Sequence, residues 1–122
     1  MYGICINCKK EPFVSLIFEG LKTVETRKMN KYGHGSLDFL VGQRVGIIET
    51  GRTRYGILKG YATISGRIEY DRISFPKDYK RHFVEPGSDY DCISFKIGYV
   101  LTDIEPCEPI EIKTKGIAFK NI

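Results

Sequence analysis

The sequence has no long apolar run, no internal repeat and no low-complexity tract, and each absence removes a class of protein. A membrane-spanning helix needs about 20 apolar residues, and the 122 residues contain no such stretch. The segment Met1 to Cys5 lacks the basic and apolar parts of a signal peptide. We therefore expect a single domain over residues 1–122 that resides in the cytoplasm and binds no membrane.

Motifs of common enzyme classes are also missing. The chain has no P-loop, no paired-histidine metal motif and no Gly-x-Ser-x-Gly elbow. Cys5 and Cys8 form a C-x-x-C, but a structural zinc site needs a second ligand pair, and Cys92 and Cys107 stand fifteen apart. A reducing cytosol argues against disulfides. We expect four small thiols, no bound metal and no cofactor.

Charge is concentrated in one third of the chain. The net charge is +4. Residues 21–60 carry eight Lys or Arg against three acids, which is +5, so the remainder sums to −1. A basic sector of this kind suits an anionic partner such as nucleic acid or a nucleotide. A well-solvated surface is the simpler alternative.

The periodicity predicts a mainly β fold with short helices. A helix follows Pro12 and ends at Gly20, and a second opens at Pro76. Gly60 and Gly66 are expected to bulge a long strand, and Pro106 and Pro109 to bracket a kinked turn before a last edge strand. These helices are too few and short to cover a parallel sheet, which favours a small, mostly antiparallel β-barrel. The predicted strands are Tyr2–Asn7, Thr23–Arg27, Gln43–Thr50, Ile57–Tyr70 and Tyr90–Leu101.

The densest group of charged residues lies where the first helix gives way to a strand. Lys22 falls in the turn, and Glu25 and Arg27, two apart, share one face of the strand. If Val24 faces the core, that shared face points outward. An Arg can bind a phosphate in bidentate fashion, a Lys offers a charge or, with a depressed pKa, a nucleophile, and a Glu can act as a general base. A solvated ion-pair surface is the alternative.

Further basic and aromatic residues could extend such a site. We expect the cations to follow a phosphate backbone if their loops border the site around Lys22, Glu25 and Arg27. We expect the tyrosines to stack on bases. Half-buried packing is the alternative for each tyrosine. The cations are Lys28, Lys31, Arg52 and Arg54, and the tyrosines are Tyr32, Tyr55 and Tyr61.

The segment Gly-x-Lys-Thr-x-Glu-x-Arg, after a short helix and opening a strand, resembles the signature of the ASCH domain, a relative of the PUA fold. The matching residues are Gly20, Lys22, Thr23, Glu25 and Arg27. Three later segments resemble strands of the family, so the likeness extends over most of the chain. They are Gly42-Gln43-Arg44-Val45, Gly60-Tyr61-Ala62-Thr63-Ile64 and Lys96-Ile97-Gly98-Tyr99-Val100-Leu101.

The resemblance implies a PUA-like, partly open β-barrel whose cleft receives the Lys, Glu and Arg, and a link to RNA or modified nucleosides. Some members resemble amidohydrolases of acetylated cytidine, and one group is described as ribonucleases. The amidohydrolase pattern has Thr where this chain has Glu25. Lys22 matches that pattern, and its later Glu would be Glu69 or Glu85.

Three functions follow as hypotheses. The first is an RNA- or nucleotide-binding domain with a role in RNA processing. The second is a hydrolase of RNA or of a modified nucleoside, with Lys22 and Glu25 as the catalytic pair. The third is an accessory domain that binds an unrelated small molecule.

Overall fold

The computed structural model describes residues 1–114 and 116–122. It contains one sheet of six strands and three short helices, which confirms the predicted fold class. The helices are α1 Phe13–Phe18, α2 Ser74–Lys77 and α3 Tyr79–His82, with one turn of 3-10 helix at Asp38–Leu40. The strands are β1 Tyr2–Asn7, β2 Val24–Lys28, β3 Arg44–Thr50, β4 Gly56–Asp71, β5 Phe95–Ile112 and β6 Phe119–Asn121.

The strand order leaves two open edges that face one another. The order is β2-β5-β4-β3-β1-β6, and every pairing is antiparallel except β1 with β3. β2 ends the sheet on one side, while β6 pairs only with Tyr2, Gly3 and Ile4 of β1. The sheet curls until the Arg27 side chain on β2 reaches the Cys5 carbonyl oxygen on β1, at 2.8 Å. The result is a barrel that is open between β2 and the end of β1.

Alternating apolar residues fill the inside of this curl. β4 alternates buried and half-buried positions along most of its length, as a strand with one face on a core should. Helix α1 covers one end of the core with Phe13, Val14 and Ile17. Gly20 follows that helix at φ 79°, the left-handed conformation predicted for its end.

The two predicted bulges of the long strand are confirmed. The pairing of β4 with β5 shifts register at Gly60 and again at Gly66. At Gly60 a Cβ atom would lie 2.3 Å from the Glu105 carbonyl oxygen and 2.6 Å from the Phe18 ring. Only glycine therefore allows the strand to pass this close to β5 and α1.

Two element boundaries differ from the prediction. β5 continues as one strand past Pro106 and Pro109, where a kinked turn was expected, although its pairing with β4 shifts register between Pro106 and Ile110. β2 pairs with β5 only as far as Val100, so the later part of β5 has a free edge, where a strand tolerates proline. The second helix was expected to open at Pro76, but α2 begins at Ser74 and the helical segment is split into α2 and α3.

Within the described residues, none of the helices has the length and apolar character needed to cross a membrane.

Candidate nucleotide-binding cleft

The opening between β2 and the end of β1 forms a cleft of about 210 Å³. β1 and β2 supply two of its walls, α1 a third, and the segment before β5 closes it. Its position follows from the topology, because this is where the curled sheet fails to close. It is lined by Cys5, Ile6, Asn7, Phe13, Glu25, Thr26, Arg27, Lys28, Asp89, Tyr90 and Lys96.

Glu25 and Arg27 share one face of β2, as alternation predicts, and they are paired. Arg27 Nη2 and Nε donate to Glu25 Oε2 at 3.0 and 3.3 Å, and Nη2 also donates to the Cys5 carbonyl oxygen. The expectation that this face points outward was wrong. Glu25 is 5% exposed, because the sheet curls and places the face against β1 instead of in solvent.

Lys22 lies behind this pair in the interior. Its side chain is 1% exposed, its Nζ donates to the carbonyl oxygens of Val24, at 2.8 Å, and of His82, and Glu25 Oε1 lies 3.6 Å away. The ammonium thus donates two hydrogen bonds to backbone carbonyls and forms an ion pair with the Glu25 carboxylate. Burial lowers the pKa of Lys22, and the charge of Glu25 opposes that shift. Lys22 does not line the cleft itself. It contacts Glu25, whose carboxylate does.

His82 completes the interior side of this arrangement as a neutral ring. Its Nδ1 accepts a hydrogen bond from the Val84 backbone N–H at 2.9 Å. The proton therefore sits on Nε2, which donates to the Phe75 carbonyl oxygen at 2.6 Å. Burial lowers the pKa of His82, which agrees with a ring stacked 4.0 Å from Phe75.

The structure adds cleft residues that sequence reasoning missed. Lys96 is 6% exposed, lies opposite Lys28 in the β2–β5 register and donates to the Tyr90 carbonyl oxygen. Burial lowers the pKa of Lys96. The rings of Phe13 and Tyr90 meet edge to face at 5.6 Å and form the apolar wall. Lys96 opens one of the segments that resemble ASCH strands, which was the available signal.

The other predicted site residues are dispersed. Lys28 lines the cleft, whereas Lys31 and Tyr32 lie exposed on the loop that follows β2. Arg52 and Arg54 lie on the β3–β4 loop, where Arg54 lines a separate hollow of about 230 Å³ that shares Asn7 with the cleft.

The two glutamates considered as a second catalytic acid are both engaged elsewhere. Glu69 accepts a hydrogen bond from Arg67 at 2.7 Å. Glu85 accepts one from the Tyr79 hydroxyl. Neither is among the residues that line the cleft.

The cysteines are free thiols. Cys5, Cys8 and Cys92 are buried and Cys107 is half-buried. Burial raises the pKa of Cys5, Cys8 and Cys92, which makes them poorly reactive. Across residues 1–114 and 116–122 there is no group of three or more His, Cys, Asp or Glu side chains placed to hold a metal ion.

Comparison with solved structures identifies the fold. The chain is similar to the crystal structure of ASCH from Zymomonas mobilis, with a TM-score of 0.66, 21% identity, and coverage of 89% of this chain and 71% of that one. Structures of two mutants of that protein match with a TM-score of 0.65, 21–22% identity, and coverage of 89% of this chain and 72–73% of theirs. This chain has an ASCH-like fold. No protein-family model and no curated protein matches the sequence.

The ASCH-like fold places the residues of the resembling segment in one region. Glu25 and Arg27 line the cleft, and Lys22 lies directly behind them. The segment thus places a buried cation in the turn before β2, followed by a carboxylate and a half-buried guanidinium on β2.

Proposed function

We propose that this ASCH-like domain binds RNA or a nucleotide, and that the cleft receives one nucleobase or nucleoside together with a neighbouring phosphate. The observation that carries the proposal is an arginine held in place on one wall of a cleft whose other wall is aromatic. A cleft of about 210 Å³ is below the range of about 300–1,000 Å³ usual for drug-sized ligands, so it suits one small planar group.

Arg27 is prepared to bind an anion. Its named hydrogen bonds use Nε and Nη2, so in the described part of the chain the two N–H groups of Nη1 remain to donate to a phosphate oxygen. Two fixed partners, Glu25 and the Cys5 carbonyl, hold the guanidinium plane. Little side-chain entropy is then lost when a ligand binds.

The charge of the cleft favours the same ligand. The lining residues include three cations, Arg27, Lys28 and Lys96, against two acids, Glu25 and Asp89. Asp89 is paired with Lys10 outside the lining set. Positive charge in a partly enclosed cleft attracts a phosphate more strongly than the same charge on open surface.

The free edge of β2 supplies polar groups to read a base. Along an antiparallel strand, backbone groups of every second residue point to the same side. The Val24 carbonyl points away from β5, since it accepts from Lys22. The N–H and carbonyl of Thr26, two residues on, therefore point to the same open edge, beside the cleft. A donor and an acceptor side by side match the polar edge of a nucleobase.

Calorimetric titration with nucleosides, 5′-mononucleotides and short RNAs at low salt tests the proposal. We expect a mononucleotide to bind more tightly than its nucleoside, and Arg27→Gln to lose tenfold or more in affinity, since hydrogen bonds to a charged group contribute about 1.5–3 kcal/mol. The matched control is Arg44→Gln on β3, where Arg44 pairs with Glu105, and it should bind like the wild type. Absence of binding by every nucleotide and RNA would refute the proposal.

The alternative function is hydrolysis of RNA or of an acetylated nucleoside. One observation favours it: the Glu25 carboxylate lies at the cleft wall, is 5% exposed and faces the Lys22 ammonium. In this scheme Glu25 accepts a proton from the attacking group, and Lys22 acts as a positioning residue. Deacylation of acetylated cytidine and cleavage of short RNAs by wild type and Glu25→Gln are the assays. Equal rates in the two proteins would reject the hydrolase.

A further inference from the structure

Lys31 and Tyr32 lie next to the cleft along the chain. The loop that carries them leaves β2 directly after Lys28, which lines the cleft. Four residues span at most about 14 Å, so Tyr32 lies within that distance of Lys28. Lys28 and Lys31 are both exposed cations, and they supply two positive charges in the short segment that leads from the cleft to Tyr32.

Tyr32 is the outlier among the tyrosines. Of the eight in the chain, seven are buried or half-buried, whereas Tyr32 is 72% exposed. The Lys31 ammonium lies 5.1 Å from the centre of its ring. An exposed aromatic ring beside a cation is the arrangement that single-strand-binding proteins use to stack a base, since every base has a π-face.

The loop that presents Tyr32 is held rigidly. Asn30 Oδ1 accepts hydrogen bonds from the backbone N–H groups of Tyr32 and His34, both at 2.9 Å. Arg67 donates to the Gly33 carbonyl oxygen at 2.6 Å. Because the loop backbone is already held, less backbone entropy is lost when a base stacks on the ring.

The opposite flank of the cleft is less suited to continue a strand. Arg52 is engaged with the Cys8 carbonyl oxygen, at 3.0 Å, and with Glu49, at 3.5 Å. The Arg54 guanidinium lies 5.6 Å from the ring centre of Tyr55, which is half-buried. Arg52 is thus engaged by protein groups and the Tyr55 ring is half-buried, so the exposed ring lies on the Tyr32 side.

We infer that the cleft is one end of a binding path for single-stranded RNA, which passes Lys28 and Lys31 and stacks a base on Tyr32. This inference rests on the proposed function of the cleft and makes its ligand an oligonucleotide. It predicts that affinity rises from mononucleotide to tetranucleotide, because only the longer ligand reaches the ring.

Fluorescence anisotropy with labelled ribo-oligonucleotides of one, two, four and six residues tests the path. Tyr32→Ala should weaken tetranucleotide binding between about fivefold and 150-fold, the range expected for one stacked base. It should change mononucleotide affinity by less than about twofold, since the cleft is untouched. Tyr32→Phe keeps the ring and should keep the affinity. The matched control on the opposite flank, Tyr55→Ala, should bind the tetranucleotide like the wild type.

The possible results distinguish failure of the RNA path from failure of the proposed function of the cleft. If the wild type binds neither a nucleotide nor an oligonucleotide, the proposed function fails. If a mononucleotide binds but a tetranucleotide binds no more tightly, the path is wrong and the cleft proposal stands. Equal tetranucleotide affinity of Tyr32→Ala and wild type, or a larger loss in Tyr55→Ala, also overturns the path. The retained mononucleotide affinity of Tyr32→Ala shows that the variant is folded.

Discussion

Two ion-pair networks in this molecule have the same chemistry and different surroundings. The cleft network consists of Lys22, Glu25 and Arg27, with an arginine-carboxylate distance of 3.0 Å. The loop network consists of Asp38, Arg67 and Tyr99, with an arginine-carboxylate distance of 2.9 Å. Distance alone therefore does not separate a binding site from a structural pair. The two cases are separated by the groups that each network contacts.

The loop network fastens a loop to the sheet. Asp38 accepts from the Tyr99 hydroxyl at 2.6 Å and from the Gly35 backbone N–H at 3.0 Å, and Arg67 donates to the Gly33 carbonyl oxygen. At Gly35 a Cβ atom would lie 2.2 Å from the Tyr99 hydroxyl, so this loop packs directly on the network. Its polar groups are engaged by the loop and the sheet, and none of its three residues lines the cleft.

The cleft network is graded from interior to cleft. Lys22 is fully buried, Glu25 is nearly so, and the Arg27 side chain is 16% exposed. The buried end is held by backbone carbonyls and the other end lines a cavity. We interpret this increase in exposure from Lys22 to Arg27 as the feature of a ligand-binding group. A purely structural ion pair joins two elements without reaching a cavity.

The largest expected effect is on stability, from the buried end of the cleft network. Lys22→Met removes the ammonium that donates to the Val24 and His82 carbonyls and leaves them and Glu25 short of a partner. Breaking a buried pair in this way costs about 3–5 kcal/mol. Urea unfolding measures the loss.

The matched control is Lys28→Met at the end of β2, six residues further along the chain. Lys28 is exposed, so its variant should unfold within about 0.5 kcal/mol of the wild type. Equal stability of the two variants would contradict the structural role given to Lys22.

A smaller loss of stability is expected from the loop network. Asp38→Ala deprives Arg67, Tyr99 and the Gly35 N–H of their shared acceptor. The Asp38 side chain is 31% exposed, so water replaces part of the lost interaction, and about 1–2 kcal/mol is expected. Mononucleotide affinity of the cleft should not change. A loss of that affinity as large as in Arg27→Gln would show that the two networks do not differ in function.

The pH dependence of stability should separate the networks further. Burial tends to raise the pKa of Asp38, but hydrogen bonds from Tyr99, Gly35 and Arg67 outweigh it and lower that pKa. A lowered carboxyl pKa stabilises the fold above the unfolded value of about 3.9, and this stabilisation is lost as pH falls through the folded value. Asp38→Asn should therefore show a smaller loss between about pH 5 and pH 2. Parallel acid-unfolding curves for variant and wild type would contradict this.

The free energy of unfolding should also depend on pH through His82, which lies in the interior beside Lys22. Burial lowers the pKa of His82, so the unfolded state binds a proton that the folded state rejects. Stability should fall as pH drops below about 6.5, the ordinary histidine value. Proton NMR titration of the His82 ring checks this. A ring that titrates at or above the ordinary value in the folded protein would be the contrary result.

Local sequence patterns predicted the fold correctly at positions where a single residue decides the backbone conformation. Gly20 ends α1 because a left-handed residue is needed there, and Gly60 marks a bulge because the β5 backbone approaches it closely. The path of β5 through Pro106 and Pro109 was missed, because proline is allowed there only by the absence of β2 beyond Val100. That is a fact of sheet topology, which local sequence does not contain.

The sequence predicted only part of the site, because the rest depends on contacts between residues that are distant along the chain. Alternation placed Glu25 and Arg27 on one face of a strand, and the structure pairs them. The burial of Lys22 and the presence of Lys96 were missed, since both depend on residues 60 or more positions away along the chain, as the Lys22–His82 contact shows. Curling of the sheet turns a face that reads as exterior into the wall of a cleft.

The most direct test of the account is mononucleotide binding by two arginine variants measured side by side. Arg27→Gln alters the cleft network and Arg67→Gln alters the loop network, with the same chemical change in each. We expect calorimetry to show at least a tenfold loss of affinity in Arg27→Gln and wild-type affinity in Arg67→Gln. Equal affinities in both variants, or a greater loss in Arg67→Gln, would contradict the assignment of the cleft as the nucleotide site.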